Sequence, residues 1–194
     1  MTVPTLSSRV AREQASFRAV LDGMARPGTI GRLARYGPGG AFAPAVQLLE
    51  ALLGHGVSFA VLPDAPEPRE ALLRRTGSRV YPPQEADFLL CHGPGIAEGL
   101  RAARDGRLEY ADRGATLIAL VPSVASVAGG GTRLTLAGSG VPGGRDVWVD
   151  GFTAEHRALF AQRNRAVPLG VDLVLVALDG AFTCLPRATR IEAD

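Results

Sequence analysis

Helical spacing of apolar residues dominates the first quarter of the chain. The first set comprises Val10, Phe17, Val20, Leu21 and Met24. This spacing predicts an amphipathic helix that begins near Ser7 or Ser8 and ends at Pro27-Gly28. After a Gly/Pro loop at Gly37–Gly40, paired apolar positions between Ala45 and Leu53 predict a second helix with a broad buried face.

From Val57 onward, short apolar runs alternate with helical segments. The runs predict strands at Val57–Leu62, Phe88–Cys91 and Thr116–Val121. Helices are expected between them, around Glu70–Arg75 and over Gly95–Arg104. A strand–helix–strand order of this kind indicates parallel strands covered by helices.

The second half of the chain has a different pattern. Arg133–Ala137 and Asp146–Asp150 alternate like half-buried strands, and Thr153 is expected to cap a helix with Leu159 and Phe160 on its inner face. Val171–Leu178 is the most apolar run and predicts a central strand. Asp179-Gly180 then predicts a tight hairpin, with positive φ at both residues, leading to Ala181–Leu185.

These elements together predict an α/β fold. We expect one domain over residues 1–194, with a three-layer arrangement of a mixed sheet and helices on both faces. Neither an internal repeat nor a linker is expected.

Composition and charge narrow the class of protein. Apolar residues make up 46% and charged residues 21% of the 194 positions, and the formal net charge is only +2. The arginines are spread along the chain, so we expect neither a nucleic-acid groove nor, in the absence of a long apolar run, a membrane span. The first ten residues lack the apolar core of a secretory signal, and Cys91 and Cys184 lie in apolar runs. A cytoplasmic protein with structural thiols is therefore expected.

The chain contains no lysine, because all 21 basic residues are arginine. A Schiff base with pyridoxal phosphate and a phosphate-loop lysine are therefore both excluded. The histidines, His55, His92 and His156, show no metal-binding spacing, so no metal or other cofactor is expected.

Two glycine-rich segments are candidate anion sites. Gly138–Gly143 formally matches a dinucleotide fingerprint, but Pro142 and the strand that follows favour a plain loop, with Gly138 and Gly140 keeping a role as a possible anion-binding nest. His92–Ile96 places small residues before a helix, where a strand-to-helix turn is the favoured interpretation over a phosphate site.

Asp172 and Arg187 are the charged residues that the apolar pattern singles out. A carboxylate at the start of a buried strand needs a partner, and we expect Arg187 or loop backbone to supply it. The alternative is that Arg187 directs its planar guanidinium toward an anionic ligand or a partner protein. Arg26 is a further candidate for such contacts.

Several motifs, in order along the chain, resemble the H subunit of carbon–phosphorus lyase. Phe17-Arg18 with Met24–Gly28 is similar to the start of that family, although Gly23 stands where the family usually has alanine. Gly114–Ile118 and Leu134–Val141 resemble its central strand and its L-x-L-x-G-x-G-I element. Pro168–Leu173 matches P-L-G-[IV]-D-L through Pro168, Gly170 and Asp172, and Leu185–Thr189 matches P-R-T-T from Pro186, with Ala188 replacing the first threonine.

This resemblance implies a role in the breakdown of organic phosphonates. It implies a fold related to pyridoxal-phosphate-dependent transferases without the cofactor, a homodimer in isolation, and a core complex with the G, I and J subunits. In that pathway the I subunit, with G, H and L, replaces the adenine of ATP by a phosphonate such as methylphosphonate. Radical cleavage by the J subunit follows, and Cys91 and Cys184 alone are too few for such an iron–sulfur cluster.

Within the resemblance, a scaffold or accessory role is the favoured function. A stand-alone enzyme on nucleotides or phosphonates would need a general base and an anion clamp in one cleft. A regulatory protein that binds a phosphate-bearing small molecule would need only the clamp. Both alternatives stay open from the sequence.

Overall fold

The structure, a computed structural model, describes residues 8–33 and 40–192. Its helices are α1 Ser8–Ala25, α2 Ala43–Glu50, α3 Pro66–Thr76, α4 Gly95–Ala102 and α5 Ala154–Arg163. Ser7 and residues 37–39 of the predicted loop lie outside the described residues. No helix in the described parts of the chain is long and apolar enough to cross a bilayer.

Seven strands form a mixed main sheet. They are β1 Gly31–Arg32, β2 Ser58–Leu62, β3 Arg79–Val80, β4 Phe88–His92, β5 Thr116–Val121, β9 Asp172–Ala177 and β10 Ala181–Leu185. The spatial order is β1-β10-β9-β5-β4-β2-β3, and the five strands from β9 to β3 are mutually parallel. The predicted parallel portion is therefore confirmed. On the other side, β10 is an antiparallel neighbour of β9, and β1 pairs antiparallel with β10 at the edge.

The strands predicted at Arg133–Ala137 and Asp146–Asp150 belong to a separate sheet. This four-stranded antiparallel sheet has the order β11-β7-β8-β6 and comprises β6 Ser123–Ala125, β7 Thr132–Gly138, β8 Val141–Asp150 and β11 Thr189–Ile191. The expectation of a single sheet was wrong, because alternating burial along β7 is equally typical of a small sheet that packs one face on a core.

Two apolar cores cover the two faces of the main sheet. The first lies between the sheet and helices α1, α2 and α3, with Val20, Leu48 and Leu72 as representative residues. The second lies between the sheet, helices α4 and α5, and the antiparallel sheet. Helices on both faces are thus confirmed. Strands β2 and β10 are buried at every residue because both of their faces are covered.

Helix α1 is present as predicted, but only part of its expected apolar face is buried: Val20 and Met24 contact the core, and other apolar positions are exposed. Its buried residues are Ser16, Val20 and Gly23, whereas Phe17 is 47% and Leu21 59% exposed. A Cβ atom at Gly23 would lie 2.8 Å from Cys184 Sγ. Small residues therefore let α1 approach β10 closely, and this close packing overrides the apolar pattern of the isolated helix.

The cap of α5 and the β9–β10 turn are two local structures that were predicted from the sequence. Thr153 caps α5 as expected, and the His156 side chain completes the cap by accepting from the Thr153 N–H at 3.1 Å. In the β9–β10 turn, only Gly180 has positive φ (86°), so the expectation for Asp179 was wrong. The Gly180 N–H donates to the Ala177 carbonyl at 3.0 Å, which makes a three-residue loop with glycine at its left-handed position.

Candidate functional site

Asp172 and Arg187 form a bidentate ion pair at one end of the main sheet. Because β9 and β10 are antiparallel neighbours, the start of β9 lies beside the residues that follow β10. Arg187 donates from Nε to Asp172 Oδ1 (3.2 Å) and from Nη2 to Oδ2 (2.6 Å), and its backbone N–H reaches Oδ1 at 2.8 Å. The side chains are only 15% and 21% exposed. The expected pairing is confirmed.

The same arginine fixes a neighbouring loop. Arg187 Nη1 donates to the Ala111 carbonyl at 2.6 Å. Gly114 lies close by, since a Cβ atom there would come within 2.5 Å of the Gly170 carbonyl and 2.6 Å of Arg187 Nη1. The motif segments that contain Gly114, Asp172 and Arg187 therefore meet at one point. Pro168, by contrast, is exposed.

A second meeting point lies where α1 ends. Arg145 Nη1, on β8, donates to the Pro27 carbonyl at 2.8 Å. A Cβ atom at Gly140 would lie 2.7 Å from the Ala25 carbonyl, and one at Gly28 would lie 2.8 Å from Leu136 Cδ1. The Met24–Gly28 and Leu134–Val141 motifs are thus packed against each other. Sequence reasoning did not identify Arg145, because nothing in its local pattern marks its distant partner.

Gly138 and Gly140 lie in the β7–β8 hairpin. The turn is formed by Ser139 and Gly140, and Gly138 pairs with both Val141 and Thr189. The expected plain loop is confirmed, because a strand follows it where a dinucleotide fold requires a helix. Arg26, the remaining candidate, is 62% exposed and pairs with Asp22 at 3.1 Å.

Phe17 and Arg18 of the opening motif lie on the exposed face of α1. Pro186 lies at the end of β10, and its carbonyl accepts from the Thr189 N–H at 2.8 Å. Neither Phe17-Arg18 nor Pro186 contributes a side chain to the Asp172–Arg187 pair.

The carboxyl ends of the parallel strands, where ligands often bind in such sheets, are closed at β2 and β4. His92 Nε2 donates to the Pro63 carbonyl at 3.1 Å, and the His92 ring contacts Phe42 edge-on with centroids 5.0 Å apart. A Cβ atom at Gly95 would lie 2.1 Å from the Leu62 carbonyl. The favoured strand-to-helix turn at residues 92–96 agrees with this packing.

A cleft of about 380 Å³ lies at the opposite, amino-terminal end of these strands. Asp87 accepts from Ser58 Oγ (2.7 Å) and from Arg104 Nη2 (2.7 Å) at its wall. Burial acts to raise the pKa of Asp87, but the hydrogen bonds from Ser58 and Arg104 outweigh it and hold the pKa below its ordinary value. Arg104 also donates to the Glu85 and Arg113 carbonyls, so its guanidinium is occupied. Nothing in the local sequence pattern marks Asp87 or Arg104 as partners of each other.

Both cysteines and His156 are buried. Cys91 and Cys184 are buried, and burial raises the pKa of both thiols, that of Cys184 to about 12. Burial lowers the pKa of the His156 imidazole, because it disfavours the charged form. Within residues 8–33 and 40–192, no group of three His, Cys, Asp or Glu side chains could hold a metal ion.

Fold and site together define an α/β protein whose motif residues mainly join distant segments to one another. Residues 4–192 match the family described as bacterial phosphonate metabolism protein (PhnH). The chain belongs to this family.

Two relatives have similar sequences over most of their length. A putative C-P lyase subunit protein HtxG of Stutzerimonas stutzeri is 31% identical over 93% of this chain and 86% of its own. The alpha-D-ribose 1-methylphosphonate 5-triphosphate synthase subunit PhnH of Rhizobium meliloti (strain 1021) is 31% identical over 95% of this chain and 92% of its own.

Proposed function

We propose that the chain is a non-catalytic subunit of a carbon–phosphorus lyase core complex in the cytoplasm. In this role it supports the ATP-dependent formation of ribose 1-methylphosphonate 5-triphosphate, with release of adenine, without performing the reaction alone. The names of both relatives support the pathway and the role of a subunit. We further propose that the fold is related to the pyridoxal-phosphate-dependent transferases, with no lysine to hold that cofactor.

One observation carries the proposal. The family match spans residues 4–192. Asp172 and Arg187, the charged residues of the matching motifs, pair with each other, and Arg187 also donates to the Ala111 carbonyl. Three guanidinium N–H donors of Arg187 and both carboxylate oxygens of Asp172 are used in these internal contacts, which supports a structural role for the pair. An accessory or scaffold role requires only that these contacts shape the surface.

The partners proposed are the G, I and J subunits, with a homodimer as the state of the isolated chain. The test is co-purification of the tagged chain with recombinant G, I and J subunits, followed by light scattering. A stable assembly that contains all four proteins is expected. A chain that elutes alone under conditions where G, I and J associate with each other would contradict the proposed function.

A further inference from the structure

Strands β2 and β3 form one wall of the cleft at the amino-terminal end of the main sheet. They pair in parallel, with Ser58 opposite Arg79. Tyr81 continues the line of β3, since its backbone N–H donates to the Phe59 carbonyl at 3.0 Å. Side chains two residues apart on a strand point to the same face of the sheet. Arg79 and Tyr81 therefore lie on one face, and both line the cleft together with Ser58.

The turn that leads from β3 to β4 supplies another part of the wall, and Arg104 anchors it. The Glu85 N–H donates to the Pro82 carbonyl at 2.9 Å, which closes the turn. Arg104 donates from Nη1 to the Glu85 carbonyl at 3.0 Å and from Nη2 to Asp87 Oδ1 at 2.7 Å. Gln84 and Glu85 are thus carried to the cleft by a turn whose backbone is fixed.

Two of the four charged side chains that line the cleft are already paired, and two are not. Asp87 and Arg104 form an ion pair. Arg79 and Glu85 are exposed, and neither side chain has a hydrogen bond or an ion pair among the residues that the structure describes. The cleft therefore offers one uncommitted positive charge and one uncommitted negative charge.

Two uncommitted charges of opposite sign select a zwitterionic ligand. A ligand with negative charge alone would meet the Glu85 carboxylate, and a ligand with positive charge alone would meet the Arg79 guanidinium, so that like charges repel in either case. A molecule with one charged group of each sign satisfies both side chains. The volume of the cleft, about 380 Å³, lies within the range of small-molecule sites, roughly 300–1,000 Å³.

The donors beside Arg79 favour a tetrahedral anion at the negative end of the ligand. The two oxygens of a carboxylate can both be bound by a single guanidinium, whereas a phosphonate has three oxygens. The Tyr81 hydroxyl and the Gln84 amide also line the cleft, and neither side chain has a hydrogen-bond partner within residues 8–33 and 40–192. With Arg79 they provide three donor groups for three oxygens.

We propose that the cleft binds a small zwitterion with a phosphonate group at one end and a protonated primary amine at the other. Arg79, Tyr81 and Gln84 donate to the phosphonate oxygens, and the Glu85 carboxylate accepts from the ammonium group. Asp87 and Arg104 hold the wall and do not contact the ligand. The choice of a phosphonate rests in part on the proposed function, since a subunit of a phosphonate pathway meets such compounds. The site binds this ligand without transforming it.

The test is isothermal titration calorimetry of the full chain with four small probes at neutral pH. 2-Aminoethylphosphonate carries both ends of the proposed ligand, methylphosphonate lacks the amine, ethanolamine lacks the anion, and β-alanine has a carboxylate in place of the phosphonate. The wild-type chain is expected to bind 2-aminoethylphosphonate at least about tenfold more tightly than each of the other probes, because each of them loses charge-assisted hydrogen bonds at one end.

The variants Arg79→Gln and Glu85→Gln separate the two ends of the ligand. Arg79→Gln should weaken the binding of both phosphonates at least about tenfold. Glu85→Gln should weaken 2-aminoethylphosphonate to the level of methylphosphonate, and should not weaken methylphosphonate, which has no amine. The matched control is Arg190→Gln, an exposed arginine on β11 in the other sheet, which should bind as the wild type does. Thermal melting by circular dichroism checks the fold of each variant; should one melt early, the four-probe comparison on the wild type still decides.

Each contrary outcome removes a defined part of the inference. Absence of 2-aminoethylphosphonate binding by the wild type up to about 10 mM, or binding that neither variant weakens, overturns the site. Equal affinity for β-alanine overturns the phosphonate, and equal affinity for methylphosphonate overturns the role of Glu85. Because these measurements use the isolated chain, their failure leaves the proposed function standing. A chain that binds 2-aminoethylphosphonate but does not join the G–I–J assembly overturns the proposed function alone.

Discussion

Replacement of Arg187 by alanine is expected to destabilise the fold substantially. The variant leaves Asp172, whose side chain is 21% exposed, with one remaining donor, the backbone N–H of residue 187. Exposed ion pairs contribute about 0–1 kcal/mol, whereas loss of one partner from a buried pair costs about 3–5 kcal/mol. The partial exposure of this pair places the expected loss in the free energy of unfolding at about 2–4 kcal/mol.

The Ala111 carbonyl also loses its donor in Arg187→Ala. The expected loss in the free energy of unfolding already includes the cost of this lost hydrogen bond. Arg187→Lys is expected to recover about half of the loss, since an ammonium group cannot contact both Asp172 oxygens and the Ala111 carbonyl in the fork geometry. The matched control is Arg26→Ala, which removes an ion pair whose side chains are 62% and 72% exposed and should cost less than about 1 kcal/mol.

The assay is urea unfolding at pH 7, followed by circular dichroism and by the fluorescence of Trp148. Arg187→Ala and Arg26→Ala of equal stability would refute the structural role of the Asp172–Arg187 pair. If Arg187→Ala is also unable to join the G–I–J assembly while fully stable, Arg187 is a contact to a partner or an anion instead.

Three further predictions concern single residues. Gly140→Ala should lower the free energy of unfolding by about 2–4 kcal/mol, because it combines φ +77° with a Cβ atom 2.7 Å from a backbone carbonyl. Gly143→Ala, at φ +73° with nothing within 4 Å of the added Cβ, should lower it by only about 1–2 kcal/mol. Urea unfolding measures both losses. Asp87→Asn should destabilise the protein at pH 7. The ordinary carboxyl pKa of 3.8 applies to the unfolded chain, and the pKa of Asp87 in the folded protein is lower. The difference in free energy of unfolding from wild type should therefore shrink as the pH falls below 3.8 and disappear as it passes the lowered pKa. Cys184 should resist alkylation by iodoacetamide at pH 8 in native protein and react in urea, as followed by mass spectrometry.

Each of these predictions has a clear contrary result. Equal losses at Gly140 and Gly143 would show that the contact with the Ala25 carbonyl is unimportant. A constant Asp87→Asn difference in free energy between pH 7 and pH 3 would mean that Asp87 titrates normally. Native alkylation of Cys184 at the rate seen in urea would contradict its burial.

Periodicity predicted the helices and the longer strands, but not the short strands β1, β3, β6 and β11 or the way in which the strands assemble. Parallel strands with helices between them follow from the alternation of apolar runs, and the three strands predicted between Val57 and Val121 occur close to their predicted bounds. The separate antiparallel sheet was missed because strand patterning does not state which strand is its neighbour. The buried face of α1 was predicted only in part, because Ser16 and Gly23, which are poor markers of burial, lie in it beside Val20.

The candidate site residues could also be predicted only in part from the sequence. Asp172 stood out as a carboxylate among apolar residues, and the physical cost of its burial was enough to predict a partner, either Arg187 or loop backbone. Arg104 and Arg145 lie in polar surroundings of the sequence, so their role in joining distant segments became visible only from the structure.

We propose that this chain supports catalysis without performing it. The most direct measurement is adenine release from ATP in the presence of methylphosphonate, by a reconstituted G, I, J and L mixture with and without this chain. We expect no adenine release by the chain alone and a clear increase in release when the chain completes the mixture. Adenine release by the purified chain alone, above a heat-treated control and retained through further purification, would contradict it.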